Sequence, residues 1–504
     1  MRKDSGAADG IRRVLVANRG EIAVRVIRAC REMGIVSIAI YSDADAAARH
    51  AEAADVAVRI GPAAPSASYL NVDAILDAAR MTGADAVHPG YGFLSENADF
   101  ARAVEAAGLT WIGPPPATQE ALGNKLAARR SASQAGVPVV PGLLVALDAG
   151  AQADMASLGL PLMLKAAAGG GGRGMRRVDR VEDLPDAMRS AAREAHSAFG
   201  DGTLYLERLV HPARHVEVQL LGDRHGNLAC LGERDCSVQR RHQKLVEETP
   251  SPAVDPGLRE RLFDSARKVA GTVDFHNAAT VEFLVDADGS HYFLEMNTRL
   301  QVEHGVTELV TGLDLVAWQI RIAAGERLPA EMLQPEPRGH AIEVRMYAED
   351  PWNGFGPVAG AVTAWRPPEG PGVRVDHAVT EGPLTTEYDP LLAKVMVHAG
   401  DRPAAVARLR RALDETLVAG VQTDLGFHRW LVEQPEFVSG DYHTGLVADR
   451  WQNGPPLTAE ERGLVALAAQ SARADADAQP TGQPVAVDGV SPWSRTARSE
   501  ALRR

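Results

Sequence analysis

The first third of the chain alternates short apolar runs with apolar residues at helical spacing. The run Arg13 to Ala17 is followed by a turn, by apolar residues at helical spacing from Ile22 to Cys30, and by a second run, Val36 to Tyr41. This change of period predicts a strand, a helix and a strand. Such a unit implies parallel strands with a right-handed connection. The turn after the first strand lacks Gly-x-Gly-x-x-Gly, which excludes a dinucleotide site of that kind.

The same alternation continues beyond residue 50. It predicts further strands over 56–58, 84–87 and 110–112, and helices near 71–81 and 95–107. Ser95 is expected to cap the second of these helices. Ligands favour the carboxyl ends of parallel strands, so Tyr91 and Glu96 are candidates for a cleft at this edge. The two glycines that flank Tyr91 are equally compatible with a tight turn alone.

A glycine-rich segment in the middle of the chain is expected to form the hairpin loop between two predicted strands. The first strand, Leu160 to Lys165, ends in lysine, and the second begins at Arg176. Five of the six residues from 169 to 174 are glycine. The backbone N–H groups of such a loop can close on phosphates, so we interpret it as a mobile lid over a nucleotide. A flexible linker is the alternative, although linkers are seldom flanked by lysine and arginine.

Two acidic residues are predicted to face each other on a hairpin near residue 290. The runs Glu282–Val285 and His291–Leu294 indicate antiparallel strands, and a two-residue turn at Asp288-Gly289 places Glu282 opposite Glu295. Like charges at such a pair are destabilising unless they are neutralised. Since Mg²⁺ is held by one or two carboxylates in many nucleotide sites, the pattern favours a metal–nucleotide site. A surface hairpin with coincidental acids is the alternative.

Polar and apolar residues alternate from 295 to 303. An extended backbone would place Glu295, Asn297, Arg299, Gln301 and Glu303 on one face. We therefore expect a polar ledge that carries an arginine and a second carboxylate beside the metal–nucleotide site.

Composition narrows the class of protein. A length of 504 residues suggests about three domains, and a net charge of −13 gives no support for wrapping nucleic acid. Three cysteines without metal-ligand spacing or a disulfide framework fit the reducing cytosol. No run approaches the roughly 18 apolar residues of a membrane span. Only six of the 53 basic residues are lysines: Lys3, Lys125, Lys165, Lys244, Lys268 and Lys394. This suggests that lysine is kept where a compact ammonium is needed, whereas chance retention is favoured for Lys3 and Lys268.

Five segments carry a family resemblance when they are taken in chain order. They are Ala17–Ala23, His88–Asn97, Lys165 with the glycine loop, Glu233–Glu248 and Glu295–Glu303. Together they resemble biotin carboxylase, the ATP-grasp component of biotin-dependent carboxylases, in register from about residue 11 to about residue 450.

The resemblance implies an α/β protein of three domains and a tail. An N-terminal parallel-sheet (pre-ATP-grasp) domain is expected at 1–122 and an ATP-grasp domain at 123–335, with a mobile glycine-rich lid at about 140–210. A C-terminal mixed α/β domain is expected at 336–450, followed by a helical or disordered tail at 451–504.

The resemblance also implies sites for ATP, for Mg²⁺ or Mn²⁺, and for bicarbonate. The residues implied for the nucleotide are Lys125, Lys165, Gly171, Gly172, Glu207, Val210, His215, Gln239, His242 and Leu284. Those implied for the metal ion are Glu282, Glu295 and Asn297, in agreement with the hairpin argument. Those implied for bicarbonate are Lys244, Arg299, Gln301 and Val302, the last through its backbone.

The catalytic residues implied by the resemblance are Glu303, Arg299, Lys244 and Arg345. Glu303 would be the general base that deprotonates bicarbonate for attack on the γ-phosphate of ATP, because a carboxylate close to cations stays ionised at neutral pH. Arg345 matches the arginine that stabilises enolised biotin, and Tyr91 would lie near the biotin ring.

The implied partners are a biotin carboxyl carrier protein, a carboxyltransferase subunit of an acyl-CoA (acetyl-CoA type) carboxylase, and a second copy of the chain. No lysine follows a methionine, so biotin is expected on a separate carrier. Neither nucleic acid nor a membrane is expected as a partner.

Two other interpretations remain open, another ATP-grasp ligase that joins a carboxylate to an amine and a non-catalytic nucleotide-binding subunit. Gly305, where the family pattern has proline, is expected to loosen the backbone next to Glu303 and keeps the second interpretation open. For Lys394 a structural role is expected.

Overall fold

The computed structural model of the chain describes residues 10–145, 158–166, 175–199, 202–452 and 454. All of these residues fall within the unit Met1–Gly454. The predicted tail beyond Gly454, with the helix expected near 457–473, lies outside the described residues, as do Gly171 and Gly172 of the glycine loop. Among the described helices, none is long and apolar enough to cross a membrane.

A five-stranded parallel sheet forms the N-terminal part, in the order β3-β2-β1-β4-β5. Its strands are β1 (Arg13–Val16), β2 (Val36–Ser42), β3 (Val56–Gly61), β4 (Ala86–His88) and β5 (Thr110–Trp111). The helices of this part are Gly20–Glu32, Arg49–Ala53, Val72–Thr82, Ala98–Ala106, Pro116–Gly123 and Lys125–Gln134. The parallel sheet predicted from the alternating pattern is therefore confirmed.

The helix predicted near 95–107 begins later than expected. It spans Ala98–Ala106, and the side chain of Asn97, not that of Ser95, accepts the capping hydrogen bond from the Phe100 N–H at 2.8 Å. Ser95 lies in the preceding turn, where its N–H bonds to the Gly92 carbonyl. The cap prediction was wrong because two good capping residues stand close together and the turn geometry selects the second.

A four-stranded antiparallel sheet in the order β6-β9-β7-β8 contains the strands on either side of the glycine-rich loop. Its strands are β6 (Gly142–Val145), β7 (Leu162–Ala166), β8 (Arg176–Val178) and β9 (Leu204–Arg208), and the helix Leu184–Phe199 packs on it. The predicted pairing of the runs that flank the loop is confirmed, because Leu164 lies opposite Arg176.

An eight-stranded antiparallel sheet forms the rest of the framework, in the order β14-β13-β10-β11-β12-β15-β22-β20. The strands are β10 (Ala213–Gly222), β11 (Leu228–Arg240), β12 (Gln243–Thr249), β13 (Asn277–Asp286), β14 (His291–Asn297), β15 (His340–Tyr347), β20 (Val373–His377) and β22 (Leu391–Ala399). β12 pairs with β15, so one sheet continues across the domain boundary predicted at 335/336.

Short strand pairs and helices complete the C-terminal part. The pairs are β16 (Glu349–Asp350) with β17 (Gly356–Pro357), β18 (Ala361–Val362) with β21 (Gly382–Pro383), and β19 (Ala364–Arg366) with β23 (Leu417–Ala419). The remaining helices are Pro256–Ala270, His304–Thr311, Leu315–Ala323, Arg402–Glu415, Leu425–Leu431, Pro435–Ser439 and Leu446–Arg450.

The two faces of β15 and β22 differ in chemistry. Ile342, Val344, Val395 and Val397 point into an apolar core. The residues between them, such as Arg345, point to the other face because side chains alternate along a strand. The helix His304–Thr311 contacts β11, β12, β15 and β22. Its interface with the sheet therefore combines the polar residues of this face with an apolar cluster of Val306, Val310, Ala341 and Met396.

Candidate active site

A cavity of about 220 Å³ lies where the four-stranded sheet, the helix Lys125–Gln134 and the eight-stranded sheet meet. Ten residues proposed from the sequence line it: Lys125, Lys165, Glu207, Val210, His215, Gln239, His242, Glu282, Leu284 and Glu295. The structure thus brings together eight of the ten residues proposed for the nucleotide and two of the three proposed for the metal ion.

One wall of the cavity is apolar and ends in a carboxylate. Val210 and Val140 are buried and pack against Leu284. Glu207, which is only 5% exposed, forms an ion pair with Lys165, and its Oε2 lies 3.9 Å from Arg129 Nη1. An apolar wall with a few convergent polar groups is the usual form of a small-molecule pocket.

His242 reaches the cavity from a strained turn. Arg240 pairs with Gln243, so only Arg241 and His242 connect β11 to β12. Both have positive φ, 47° and 68° respectively, as a type I′ turn requires. Residues other than glycine adopt this conformation at a cost, and such strain is concentrated at functional sites.

The hairpin β13–β14 pairs Glu282 with Glu295 as predicted, but by a different route. Asp286 pairs with Ser290 through its N–H, and Phe283 lies opposite Phe293, so the loop has three residues and not two. A register shift between Glu282 and Phe283 leaves Leu294 as an extra residue and restores the acid pair. The two-residue turn was wrong, and the bulge compensates for it.

Each glutamate of the pair already has a cationic partner. Lys125 Nζ lies 2.7 Å from Glu295, while His215 Nε2 and Lys244 Nζ lie 2.8 and 3.0 Å from Glu282. Burial would raise the pKa of Glu282, but Lys244 and His215 lower it below its usual range. The structure therefore confirms that the facing charges are neutralised, and it shows protein cations in that role.

The acid pair and Asn297 fit a magnesium ion. Asn297 Nδ2 donates to Glu282 at 2.9 Å, so the amide lies beside the carboxylates. The Glu295 side chain is 29% exposed and borders the cavity, which leaves its oxygens accessible. Hard oxygen ligands and a neighbouring phosphate site are the setting in which Mg²⁺ binds.

The polar ledge is not an extended strand along its whole length. β14 ends at Asn297, and the chain then turns until the helix His304–Thr311 begins. The polar side chains nevertheless converge, because Arg299 donates to Asn297 at 3.2 Å and to Gln301 at 2.8 Å. The alternation therefore identified side chains that lie together, but the extended backbone that it predicted beyond Asn297 was wrong.

Glu303 lies between two cations at the start of this helix. Its Oε1 accepts from Lys244 Nζ at 2.7 Å and its Oε2 accepts from Arg345 Nη2 at 2.9 Å. Burial would raise the pKa of Glu303, but Lys244, Arg345 and Arg234 hold it well below its usual range. The carboxylate is thus ionised and can act as a base at neutral pH.

The N-terminal sheet contributes two more groups through the loop after β4. Glu96 accepts from Arg299 Nε at 2.9 Å and from the Thr298 N–H at 3.1 Å. The hydroxyl of Tyr91 donates to Glu21, and the Asn18 amide donates to the Tyr91 carbonyl at 2.7 Å. The loop that follows β4 therefore joins the site, as its position at the carboxyl edge predicted.

Two buried glutamates at the site were missed by the sequence reasoning. Glu217 accepts from Lys244 at 2.6 Å and lies opposite Glu282 in the β10–β13 register. Glu247 accepts from Arg345 Nε at 2.6 Å. The sequence does show each of them as a charged residue within a largely apolar strand. That signal does not tell which residue of a distant strand lies opposite, so it could not place them at the site.

Gly305 does not loosen the backbone. It is the second residue of the helix His304–Thr311 and it is buried. A Cβ at this position would collide with the sulfur of Met396 and would lie 3.6 Å from Glu343 Oε2. The absent side chain is therefore replaced by Met396, which fills the space.

Three family models match the chain in order. They are "Biotin carboxylase, N-terminal domain" over residues 10–119, "Carbamoyl-phosphate synthase L chain, ATP binding domain" over residues 124–331, and "Biotin carboxylase C-terminal domain" over residues 343–449.

Curated proteins and a solved structure agree with these matches. A biotin carboxylase of Halalkalibacterium halodurans is 50% identical over 441 residues, which is 87% of this chain and 97% of that protein. The mitochondrial methylcrotonoyl-CoA carboxylase subunit alpha of Oryza sativa subsp. japonica is 49% identical over 88% of this chain and 61% of that protein. The biotin carboxylase domain dimer of Hydrogenobacter thermophilus 2-oxoglutarate carboxylase, in complex with MgADP, ADP and bicarbonate, has a TM-score of 0.85 at 44% identity and covers 89% of this chain and 99% of that one. The chain belongs to the biotin carboxylase family, an ATP-dependent ligase component of biotin-dependent carboxylases.

Proposed function

We propose that this chain uses ATP and bicarbonate to carboxylate biotin on a separate carrier protein, as a component of an acetyl-CoA type carboxylase. The observation that carries the proposal is the Glu303 carboxylate, held between Lys244 and Arg345 beside the cavity. A base that is fixed next to cations and beside a cavity suits the deprotonation and activation of a small anion.

The residues around the cavity are proposed to hold the nucleotide. Lys125, Lys165 and His215, with Gly171 and Gly172, would bind phosphates, since ammonium and backbone N–H groups suit phosphate oxygens. Glu207, Val210 and Leu284 would face the adenine, and Gln239 and His242 would complete the pocket. Glu282, Glu295 and Asn297 would hold Mg²⁺ or Mn²⁺, which would offset charge on the transferred phosphoryl group when bound.

Bicarbonate is proposed to bind to Lys244, Arg299, Gln301 and the Val302 backbone. Glu303 would take the bicarbonate proton while a bicarbonate oxygen attacks the γ-phosphorus and ADP leaves. The carboxyphosphate, or the CO₂ formed from it, would then carboxylate the ureido nitrogen of biotin, while phosphate leaves and takes up the N–H proton of that nitrogen. Arg345 would stabilise the enolised ring, because a guanidinium stays charged and can bind an oxyanion bidentately, and Tyr91 would lie near that ring.

The partners are proposed on independent grounds. The resemblance of the five motif segments to biotin carboxylase supports a biotin carboxyl carrier protein and a carboxyltransferase subunit as partners. The Halalkalibacterium relative is named a biotin carboxylase, which supports a carboxylase component here. The name of the Hydrogenobacter structure describes a dimer, which supports a homodimer here, and light scattering on the purified protein tests that state.

The test of the proposed function is ADP release by the purified protein with Mg²⁺ and bicarbonate, with and without free biotin. We expect strong stimulation by biotin, together with labelled bicarbonate recovered as carboxybiotin. Turnover that ignores biotin but responds to another amine or acid would instead support a carboxylate–amine ligase. Nucleotide binding without turnover under any addition would support a non-catalytic subunit.

The variant Arg345→Gln tests the assignment of the arginine. Biotin carboxylation should fall by at least about 100-fold, as for loss of a preorganised donor at a developing oxyanion, while ADP affinity is retained. The matched control is Arg411→Gln, which removes an exposed arginine paired with Glu415. Unchanged carboxylation in Arg345→Gln would remove this residue from the mechanism.

A further inference from the structure

Lys394 is an ammonium buried without exposure to solvent. Its side chain is 0% exposed, on strand β22. Burying a charge is costly unless it is paired and hydrogen-bonded. Lys394 Nζ donates to the Val302 carbonyl at 2.7 Å and lies 3.2 Å from Glu21 Oε1. The lysine therefore contacts residues from two distant parts of the chain.

Lys394 lies on the face of the sheet that carries the active site. It is directly opposite Arg345 in the β15–β22 register, and residues directly opposite each other point to the same face. Its neighbours Ala393 and Val395 point to the apolar core on the other side. Two cations are tolerated side by side because Arg345 is paired with Glu247 and Glu303, and Lys394 with Glu21.

The carbonyl that accepts from Lys394 belongs to the peptide between Val302 and Glu303. This peptide lies in the turn between β14 and the helix His304–Thr311, where no strand ladder holds it. A hydrogen bond from a charged donor fixes such a peptide more strongly than a neutral one does. The orientation of Val302, and the starting direction of the Glu303 side chain, thus depend on Lys394.

The other contacts of Lys394 lead to the N-terminal sheet. Glu21 accepts from the Tyr91 hydroxyl as well as facing Lys394. The ammonium lies 5.9 Å from the centre of the Tyr91 ring, within reach of a cation–π contact. One buried charge therefore connects the residue proposed for bicarbonate binding with the residue proposed to lie near biotin.

We propose that Lys394 is a positioning residue that orients the Val302 peptide for bicarbonate and links it through Glu21 to Tyr91. This inference rests on the proposed function, in which Val302 binds bicarbonate. It replaces the purely structural role expected from the sequence. Its specific consequence is that loss of Lys394 weakens the use of bicarbonate and leaves nucleotide binding intact, because the cavity lining does not include Lys394.

The principal variant is Lys394→Met, which keeps the apolar stem and removes the ammonium. Burial raises the pKa of Glu21 to about 7, so this carboxyl can take up a proton when its partner is lost and the variant can fold. We expect the KM for bicarbonate to rise by about tenfold or more, as for the loss of a charge-assisted hydrogen bond. The KM for ATP and the affinity for ADP should change by less than about twofold.

Two further variants separate the two ends of the link. Lys394→Gln keeps a neutral donor for the Val302 carbonyl, so it should recover part of the bicarbonate KM lost in Lys394→Met. Tyr91→Phe removes the hydroxyl that donates to Glu21 and keeps the ion pair between Glu21 and Lys394, so it should raise the KM for biotin while the KM for bicarbonate stays near the wild-type value. The matched control is Lys268→Met, an exposed lysine paired with Asp264, which should change neither constant.

The outcomes distinguish this proposal from the proposed function. Wild-type protein without bicarbonate-dependent ADP release would remove the proposed function itself. Wild-type turnover with an unchanged bicarbonate KM in Lys394→Met would overturn only the role of Lys394. An equal loss of ATP and bicarbonate use, or failure of both Lys394 variants to fold, would also overturn it, because the lysine would then support the fold as a whole.

Discussion

Glu343 is a buried acid beside the active site with no hydrogen-bond partner for either carboxylate oxygen. It lies opposite Glu247 on β12 and opposite Met396 on β22. Burial raises the pKa of Glu343 well above its usual range, although Lys394 acts in the opposite direction. Burial therefore favours the protonated form of Glu343 in the folded protein, whereas in the unfolded chain this carboxyl ionises as an ordinary glutamate.

Glu343 should make the free energy of unfolding fall as pH rises. When folding raises the pKa of a group, that group contributes to the free energy of unfolding in full below its unfolded pKa. The contribution is lost as pH rises towards the folded pKa. Glu343→Gln should therefore flatten the fall in the free energy of unfolding as pH rises above about 4.3, the pKa of glutamate in the unfolded chain. Urea unfolding across that range measures it, with the exposed Glu415→Gln as control. A variant with the wild-type slope would contradict the prediction.

A second prediction concerns the effect of a side chain at Gly305 on stability. In an unconstrained helix, alanine is more stable than glycine by about 0.5–1 kcal/mol. Here the new Cβ meets Met396, which is buried in the sheet. Gly305→Ala should therefore lower the free energy of unfolding by about 1–3 kcal/mol, as overpacking does.

The double variant isolates the cause. In a Met396→Val background the cost of Gly305→Ala should shrink by about 1 kcal/mol, because neighbouring substitutions couple. Chemical denaturation of the four proteins in this cycle gives the coupling free energy. A Gly305→Ala protein that is more stable than the wild type would show that Met396 yields without cost.

At the scale of elements, the hairpin β13–β14 shows how far local sequence patterns extend. The acid pair was predictable because two apolar runs flank an Asp-Gly turn. The loop length and the bulge at Leu294 were not, since several turn geometries suit the same residues and packing selects among them. Similarly, the alternation from 295 to 303 indicated a strand, yet the chain turns after Asn297.

Glu248 joins three elements in the C-terminal part. It accepts from Arg402 Nε at 2.7 Å and Nη2 at 2.9 Å, at the start of the helix Arg402–Glu415, and it contacts His340 on β15. Burial would raise the pKa of Glu248, but His340 and Arg402 lower it to about 2. The ion-pair cluster ties β12 to the helix and to the neighbouring strand.

Removal of this carboxylate should be costly at neutral pH. Glu248→Gln leaves buried cations unpaired, so the free energy of unfolding should fall by about 3–5 kcal/mol at pH 7. When folding lowers the pKa of a group, that group contributes to the free energy of unfolding in full above its unfolded pKa. The contribution is lost as pH falls towards the folded pKa. The difference in the free energy of unfolding between Glu248→Gln and the wild type should therefore become smaller as pH falls from about 5 to about 3. Urea titrations at several pH values measure this, and a constant difference would contradict it.

At the scale of the whole molecule, the nucleotide cavity is bounded by separate parts of the framework. Residues of the four-stranded sheet, the helix Lys125–Gln134 and the eight-stranded sheet all line it. A ligand that binds only this folded arrangement stabilises it by about 2.7 kcal/mol at 100 times its Kd. Nucleotide binding should therefore raise the unfolding temperature of the described framework as a unit.

The metal should add a separable increment. ADP alone should raise the Tm, and Mg²⁺ should raise it further through Glu282 and Glu295. Glu295→Gln should abolish the magnesium increment and keep the ADP increment. Thermal unfolding with ADP, with and without Mg²⁺ or a chelator, measures both. Loss of the ADP increment in this variant would show that Glu295 supports the nucleotide pocket itself.

The local chemistry of this protein was readable from the sequence alone. Strand and helix periods predicted the N-terminal parallel sheet, the strands beside the glycine loop and the acid pair of Glu282 and Glu295. The motifs indicated the family, and the lining of the cavity includes most residues named for the nucleotide. The predicted strands and the acid pair are confirmed because they depend on spacing between residues that are close in the chain.

The tertiary structure alone decided which distant residues meet. Pairing of β12 with β15 carries one sheet across the boundary predicted at 335/336 and brings Glu247 and Arg345 to Glu303. The same sheet places Lys394 under the Val302 peptide. Such neighbours are set by the register and packing of strands that lie far apart in sequence, and spacing along the chain carries no information about them.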